Sequence, residues 1–537
     1  MPLETTDAVV IGSGPNGLVA ANLLADHGWD VTVLEAQAEP GGAVRSAQDV
    51  HPGFVHDTFS SFYPLAAVSP TLRGLGLERF GLEWEQAPAV LGTPFLSGDW
   101  ALMHRRPEET AAALDALQPG DGQAWLELCS GWDRIGDDVI GALLTPFPPV
   151  RSGVRALTRL PGAGGLGFVQ MLLSPLQSMA GQRFHGRASQ MLLAGNAAHA
   201  DIPVDATGST IMAWVLAMIG QHLGYPVPRG GAGRLSGALV ERLTSRGGRL
   251  VVGTRATRVV VRDGRAVGVE VSGGEFVGAR RAVLADVSAP SLFGDLVSEG
   301  DLPRRLLRRM RHFEWDPGTV KVDWALSGPV PWASMPPRAP GTVHIAESID
   351  EIRVAGAQIA AGAVPAVPFL LAGQMAASDP TRAPAGAESF WAYTHVPQPT
   401  TADAGDGGNA GVWDHDDIER MGDRVQARVE AYAPGFGERV LARRVLGPRE
   451  LEARNENLVG GALNGGTANL HQQLVFRPVP GLGRAETPVA GLYLASSSAH
   501  PGGGVHGACG SNAARAAVAH DRVRTAIAPL RRKERPT

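Results

Sequence analysis

The period of apolar positions along this chain changes several times, and the first change is the sharpest. Residues 7–11 form a short apolar run rich in β-branched side chains, the pattern of a strand buried on both faces. A glycine-rich turn follows, then a helix expected over 17–27 and a second strand over 30–34. Further along, the pattern predicts helices over 107–117, 122–140 and 235–246, and a nearly all-apolar helix of the buried type over 210–224. Strands are expected over 249–252, 257–261, 266–271 and 279–285, with a hairpin turn at Asp263-Gly264. Residues 319–326 alternate strictly, setting Val320, Val322 and Trp324 on one face and Lys321 and Asp323 on the other. The rest of 291–484 shows little period, and its glycine-rich stretch 404–409 is expected to be a mobile loop.

The first turn reads Gly12-Ser-Gly14-Pro15-Asn16-Gly17. This spacing serves a tight turn, close backbone approach to a pyrophosphate and close packing of helix on strand, each of which a Cβ would obstruct. The following helix turns its N-terminal N–H groups and positive dipole end toward the phosphates. Glu35 comes 18 positions after Gly17, close to the roughly 20 expected of an acid that binds a ribose. Ala36 and then Gly41-Gly42-Ala-Val-Arg45 bring further backbone N–H groups and a fixed positive charge to a diphosphate. A last glycine-rich block at 491–514 contains Ser497, Gly504, Val505 and His506 between a strand and a helix start.

Together these blocks resemble the FAD-dependent phytoene desaturase-like branch of the amine oxidase superfamily, with Glu35-Ala36-x(4)-Gly41-Gly42-x-x-Arg45 continuing the FAD site. The resemblance implies an α/β chain. A Rossmann-type, GR2-like FAD-binding domain, discontinuous over 1–75, 229–290 and 485–525, would be interleaved with an α+β substrate-binding domain over 76–228 and 291–484. It implies noncovalent FAD held by Gly12, Gly14, Pro15, Asn16, Gly17, Glu35, Ala36, Gly41, Gly42 and Arg45. Ala256 would lie over the adenine, and Ser497, Gly504, Val505 and His506 would lie along the flavin. Ser497 stands where relatives often carry an acid. The implied reaction removes hydride from a largely apolar substrate, with oxygen or a quinone as the open choices of electron acceptor. Amine-oxidase-like C–N oxidation, and a flavin-binding protein with a structural or partner-binding role, remain as alternatives.

Candidate chemistry beyond the cofactor rests on four side chains. His199 and Asp201 come together near a helix end as a proton-handling pair, with Pro203 favouring the loop that a tight pair requires. Lys321 is, with Lys533, one of only two lysines among 48 basic residues. If its strand face lines the site, a compact ammonium there could hold water or an anionic flavin. His506 is the fourth, through backbone and side chain at the flavin edge. His51, His56 and Tyr63 lie in a segment that the resemblance sets beside the flavin. No metal-ligand spacing is present, and Cys129 and Cys509 suggest no disulfide framework.

A chain of 537 residues exceeds one ordinary core, so two packed domains are expected. A formal charge of −5 argues against nucleic acid as a partner. Because the first strand begins near residue 7, no room is left for a leader, and a cytoplasmic location is expected. Residues 141–182 mix prolines, arginines and apolar runs. They fit a lid over an apolar pocket, a peripheral membrane contact or ordinary packed helices.

Overall fold

Two seven-stranded sheets carry the chain in the computed structural model, which describes residues 5–533 apart from Gly407. Residues 1–4, which open the expected nucleotide domain, lie outside the described residues. In the first sheet Thr6–Ile11 pairs in parallel with Val31–Leu34 on one side and with the second half of Phe276–Ala285 on the other. Arg249–Val251 and Leu492–Leu494 extend this parallel layer at its two edges. Phe276–Ala285 serves twice, because its first residues pair antiparallel with Arg265–Val271. That strand returns through a turn to Ala256–Arg262. Asp263 and Gly264 both take positive φ, 51° and 72°, the geometry of the tight hairpin turn that Asp-Gly favours.

Burial on both faces explains the β-branched runs. Ala8, Val10, Val31, Val33 and Leu284 enter a core shared with the helices Pro15–Asp26, Gly233–Ser245 and Ala508–Lys533, while Val9, Ile11, Leu34 and Val283 enter the core on the opposite face. The glycine loop therefore leaves the sheet at the carboxyl end of its strands, where open α/β sheets place their ligands.

The second sheet runs in the order Val440–Leu446, Gly318–Leu326, Glu388–Val396, Leu370–Gln374, Pro340–Ile345, Ala89–Pro94, Trp100–Met103. Four of these strands fall in the stretch whose sequence shows little period. The reason is burial on both sides: every residue of Leu370–Gln374 and of Pro340–Ile345 is buried, which erases polar alternation. Gly318–Leu326 does alternate. Val320, Val322 and Trp324 pack with the helix His415–Tyr432, whereas Lys321 and Asp323 face the molecule's interior cavity side and are also buried. The expected loop at 404–409 is anchored at its start, because Asp403 accepts from Arg424 and Asn409; its Gly407 lies outside the described residues.

A helical layer closes the other side of the cavity. Asp121–Leu144, Arg187–His199 and Ser209–Leu223 pack around Trp125, Leu193 and Trp214. Between them, Val150–Arg159 and Gly165–Leu173 turn Phe168 inward and leave Val150, Val154, Leu157 and Leu166 on the surface. Among the described residues, no helix is long and apolar enough to cross a membrane.

Candidate functional site

The glycine loop closes over a carboxyl group. Gly17 donates its N–H to Asp286 Oδ2 at 2.8 Å. A Cβ on Gly14 would lie 2.6 Å from the same oxygen, and one on Gly12 would lie 2.7 Å from the Asp286 carbonyl oxygen. The loop is thus held open toward the cavity and packed tight behind it, with no room for a side chain. Burial raises the Asp286 carboxyl to about 7, the Gly17 N–H opposing and the Glu35 charge adding to the rise. Glu35 stands at the end of its strand, where Oε2 accepts from the Ser13 N–H and hydroxyl at 2.8 and 2.6 Å and Oε1 accepts from the Gln37 N–H at 2.9 Å.

A single cavity of about 970 Å³ begins at this loop, at the upper end of the range for small-molecule and cofactor sites. Its wall includes Gly12, Gly14, Pro15, Asn16, Glu35, Ala36, Gly42 and Ala256, together with Ser497, Gly504, Val505 and His506. The same cavity has an apolar part walled by Leu143, Leu144, Phe147, Ile211, Met212, Leu216 and Trp391, a chamber for an apolar group. These residues fit a dinucleotide cofactor. The loop forms a cradle that a Cβ would fill, and the buried Asn16 Oδ1 in its wall has no partner within the chain.

Not every expected residue reaches the cavity. Gly17 and Gly41 lie behind its wall, Gly41 donating to the Ser13 carbonyl at 3.0 Å. Arg45 is also outside the wall; its guanidinium donates to the Arg454 carbonyl at 2.6 Å and lies over the Phe59 ring. It shapes the segment opposite the glycine loop, where Arg454, Asn455, Glu456 and Asn457 line the cavity, a contribution no motif in the sequence announces. His51 is off the cavity and its ring meets the neighbouring Pro52 carbonyl. His56 is buried against the Trp324 carbonyl. Tyr63 lines the cavity but its hydroxyl is engaged with Ser60.

His506 is buried, and its Nδ1 accepts the Ala508 N–H at 3.0 Å at the start of the last helix. Burial lowers its imidazole to about 4, so the ring is neutral and that nitrogen is occupied. Ser497 lines the cavity, and its carbonyl accepts from Arg477 Nε and Nη2 at 2.9 and 2.8 Å. The fully buried Arg477 also donates to the Asn464 and Thr467 carbonyls, so it braces the glycine-rich loop from below.

Lys321 does line the cavity. Its ammonium donates to the Asp57 carbonyl at 2.9 Å, pairs with Asp323, and sits 5.6 Å from the Trp391 ring centroid. Asp323 in turn holds Arg444 at 2.7 Å. Burial pulls the Lys321 pKa down while Asp323 opposes it. The polar strand face is therefore an interior wall and not a solvated one.

His199 and Asp201 do not form a pair. The His199 Nδ1 has no hydrogen-bond partner, its ring packs edge-on against Tyr225 and His344, and burial lowers it to about 4. Asp201, just past the helix end and at φ 60°, instead meets His395 of the second sheet, with 2.5 Å between Oδ1 and Nε2 as an ion pair and not an aligned hydrogen bond. Its other oxygen accepts from Asn464 Nδ2 at 2.7 Å, and the same amide donates to Asp316 Oδ2 at 2.8 Å. Burial lowers the His395 imidazole, but the Asp201 carboxylate outweighs that and leaves it above its ordinary value. Burial, with Asp201 beside it, raises Asp316 to about 7. His395, Asp316 and Asp286 carry no spacing signal, since each meets its partners only across elements far apart in the chain. Among the described residues there is no His, Cys, Asp and Glu cluster fit for a metal ion.

Residues 10–75 match the family described as an NAD(P)-binding Rossmann-like domain. Over 95% of its length the chain is 30% identical to pyridine nucleotide-disulfide oxidoreductase domain-containing protein 2 of Mus musculus, 92% of which is covered. It is 25% identical to the neurosporene-forming phytoene desaturase of Cereibacter sphaeroides, over 98% of this chain and 96% of that one. Among solved structures, a putrescine oxidase bound to putrescine shares the fold at a TM-score of 0.60 and 16% identity, over 96% of this chain and 99% of the other.

Proposed function

The chain belongs to the phytoene desaturase-like family of FAD-type oxidoreductases, and from that premise we propose that it desaturates a largely apolar hydrocarbon with noncovalently bound FAD. The observation that carries this reading is the continuity of one cavity from the glycine cradle to a chamber walled by Leu143, Leu144, Phe147, Ile211, Met212 and Leu216. Bound FAD would supply the hydride-accepting ring. The N–H groups of the glycine loop and the helix start behind it would hold the diphosphate, Glu35 the ribose, and Ala256 the adenine face. The apolar chamber would orient the hydrocarbon and exclude water. Lys321 would meet negative charge at the ring side of the cavity.

A cationic amine fits the chamber less well. Asp201, an acid of the cavity wall, already has His395 as counter-charge, so an ammonium gains less there than beside an unpaired carboxylate. The test is anaerobic mixing of the FAD-loaded protein with phytoene in detergent and, separately, with putrescine. Loss of the yellow absorbance with the hydrocarbon alone supports the reading, and loss with the amine alone overturns it. Mixing the bleached protein with oxygen or a quinone then identifies the electron acceptor. Acid precipitation should release the flavin into the supernatant; colour kept in the pellet would contradict noncovalent binding.

The short helices 150–173 support a further part of the proposal, a peripheral contact through which an apolar substrate enters. Phe147, Pro149 and Ala156 line the cavity from inside, while Val150, Val154 and Leu157 recur at helical spacing on the outside beside Arg151 and Arg155. An apolar stripe flanked by arginines suits an anionic lipid surface.

A further inference from the structure

We propose that the carboxylate pair Asp201 and Asp316, with His395 as its counter-charge, is the proton acceptor of the oxidation and takes the proton at Asp201, where the pair meets the cavity. The inference rests on the desaturation reading. It starts from a need that reading leaves unmet: a C–C bond becomes a double bond only if one carbon gives up hydride and its neighbour gives up a proton. The hydride goes, with its electron pair, to the oxidised flavin. The second C–H electron pair becomes the new π bond, and its proton needs a base inside a chamber that excludes water.

Few groups at that end of the cavity can take it. His199 lines the chamber, but its ring is packed against Tyr225 and His344 and burial disfavours its charged form. The His506 Nδ1 is committed to the Ala508 N–H. Lys321 is already paired with Asp323, and Tyr393 is an acid held neutral by burial and by the Asp201 charge. Asp201 is different on three counts. It lines the cavity, its side chain is 98% buried, and it is held at φ 60° in a conformation that only a few per cent of non-glycine residues adopt. Backbone strain at a buried, cavity-lining acid is the kind of feature that a functional site sustains.

The arrangement around it also explains how a carboxylate could be basic enough. Two acids share the amide of Asn464, which donates to both at 2.7 and 2.8 Å. Like charges this close oppose each other, so the Asp201 charge favours a proton on Asp316. His395 offsets one charge and Arg477 lies on the Asp316 side. Burial, with Asp201 beside it, raises Asp316 to about 7, so the Asp316 side of the site exchanges its proton near neutral pH, where a general base works best. Above that pH it stands ready to accept a proton. Below it the proton is already there.

The experiment uses the FAD-loaded protein, with flavin absorbance reporting that each variant folds and binds. Infrared titration should be read as the difference between the wild type and each variant, because Asp286 and Glu388 also hold protons near this pH. The wild type should show an additional carboxylic acid signal that appears as pH falls through about 7, lost in Asp316→Asn and moved to lower pH in Asp201→Asn. His395→Gln should keep the signal but move its midpoint to higher pH, a change that loss of mere packing would not produce. With phytoene as the probe, flavin reduction should slow about a hundredfold in Asp201→Asn, and its rise with pH through about 7 should vanish in Asp316→Asn. No difference in the acid signal between the wild type and the Asp201 and Asp316 variants, or variants that keep the wild-type rate and pH profile, overturns the proposal. Wild-type flavin that phytoene fails to reduce overturns the desaturation reading instead, and the infrared titration still decides whether this pair takes up a proton near neutral pH.

Discussion

Gly17 and Asp286 are 269 residues apart in the chain and 2.8 Å apart in the fold, the glycine N–H donating to the aspartate Oδ2. This contact ties the first βα turn to the end of a strand that arrives from the middle of the sequence. It also makes stability depend on pH. The Asp286 carboxyl is raised from the unfolded value near 4 to about 7. Its neutral form therefore favours the folded state below pH 4, and that contribution is lost as pH rises through about 7. Asp286→Asn cannot ionise, so the loss of stability of the flavin-free protein between pH 5 and pH 8 should shrink by about 2 to 4 kcal/mol. Urea denaturation at the two pH values measures it, and identical slopes in variant and wild type would contradict the assignment.

Gly14→Ala should abolish tight FAD binding while the chain stays folded. The new methyl group would stand 2.6 Å from Asp286 Oδ2, so the loop must shift away from the position in which its N–H groups face the cavity. At least a tenfold rise in Kd, about 1.4 kcal/mol, is expected by titrating flavin-free protein with FAD. Unchanged affinity would mean that the diphosphate does not lie on this loop.

Lys321→Met removes a buried ammonium from Asp323 and from the Asp57 carbonyl. Truncating one partner of a buried ion pair costs about 3 to 5 kcal/mol, although Arg444 still holds Asp323 and will reduce that figure. The melting temperature should fall, FAD should remain bound, and flavin reduction or its reoxidation should slow. Lys321→Arg should slow the same step, because the planar guanidinium does not reproduce a compact ammonium. Stopped-flow measurement of both half-reactions decides it; wild-type rates in both variants would leave Lys321 a purely structural role.

Val154→Glu with Leu157→Glu should release the protein from vesicles of anionic lipid without lowering its flavin content. Both positions are exposed, at 55% and 69%, so the fold loses little. Sedimentation with vesicles should show binding by the wild type that weakens as salt rises. Equal binding by the double variant would remove the helix Val150–Arg159 from any membrane contact.

Local pattern alone determined the glycine loop, the strands that flank it, the hairpin at Asp263-Gly264 and the strand Gly318–Leu326, because each is specified by residues close in sequence. Tight turns need glycine or aspartate at set positions, and a half-polar strand must alternate. The same pattern set Lys321 and Asp323 on one face, but it could not say whether that face met water or the interior. The surrounding sheet and helices decided this by covering it. His199 and Asp201 show the opposite limit. Nearness in sequence suggested a pair, yet the helix ends between them and turns Asp201 toward His395 and Asn464, which arrive from other parts of the chain. Arg45, expected at the diphosphate, donates to the Arg454 carbonyl 409 residues away, a contact that no local pattern announces. Charge, burial and partner are properties of the assembled interior, and for Asp286, Asp316 and His395 only the tertiary structure brought together the groups that set them.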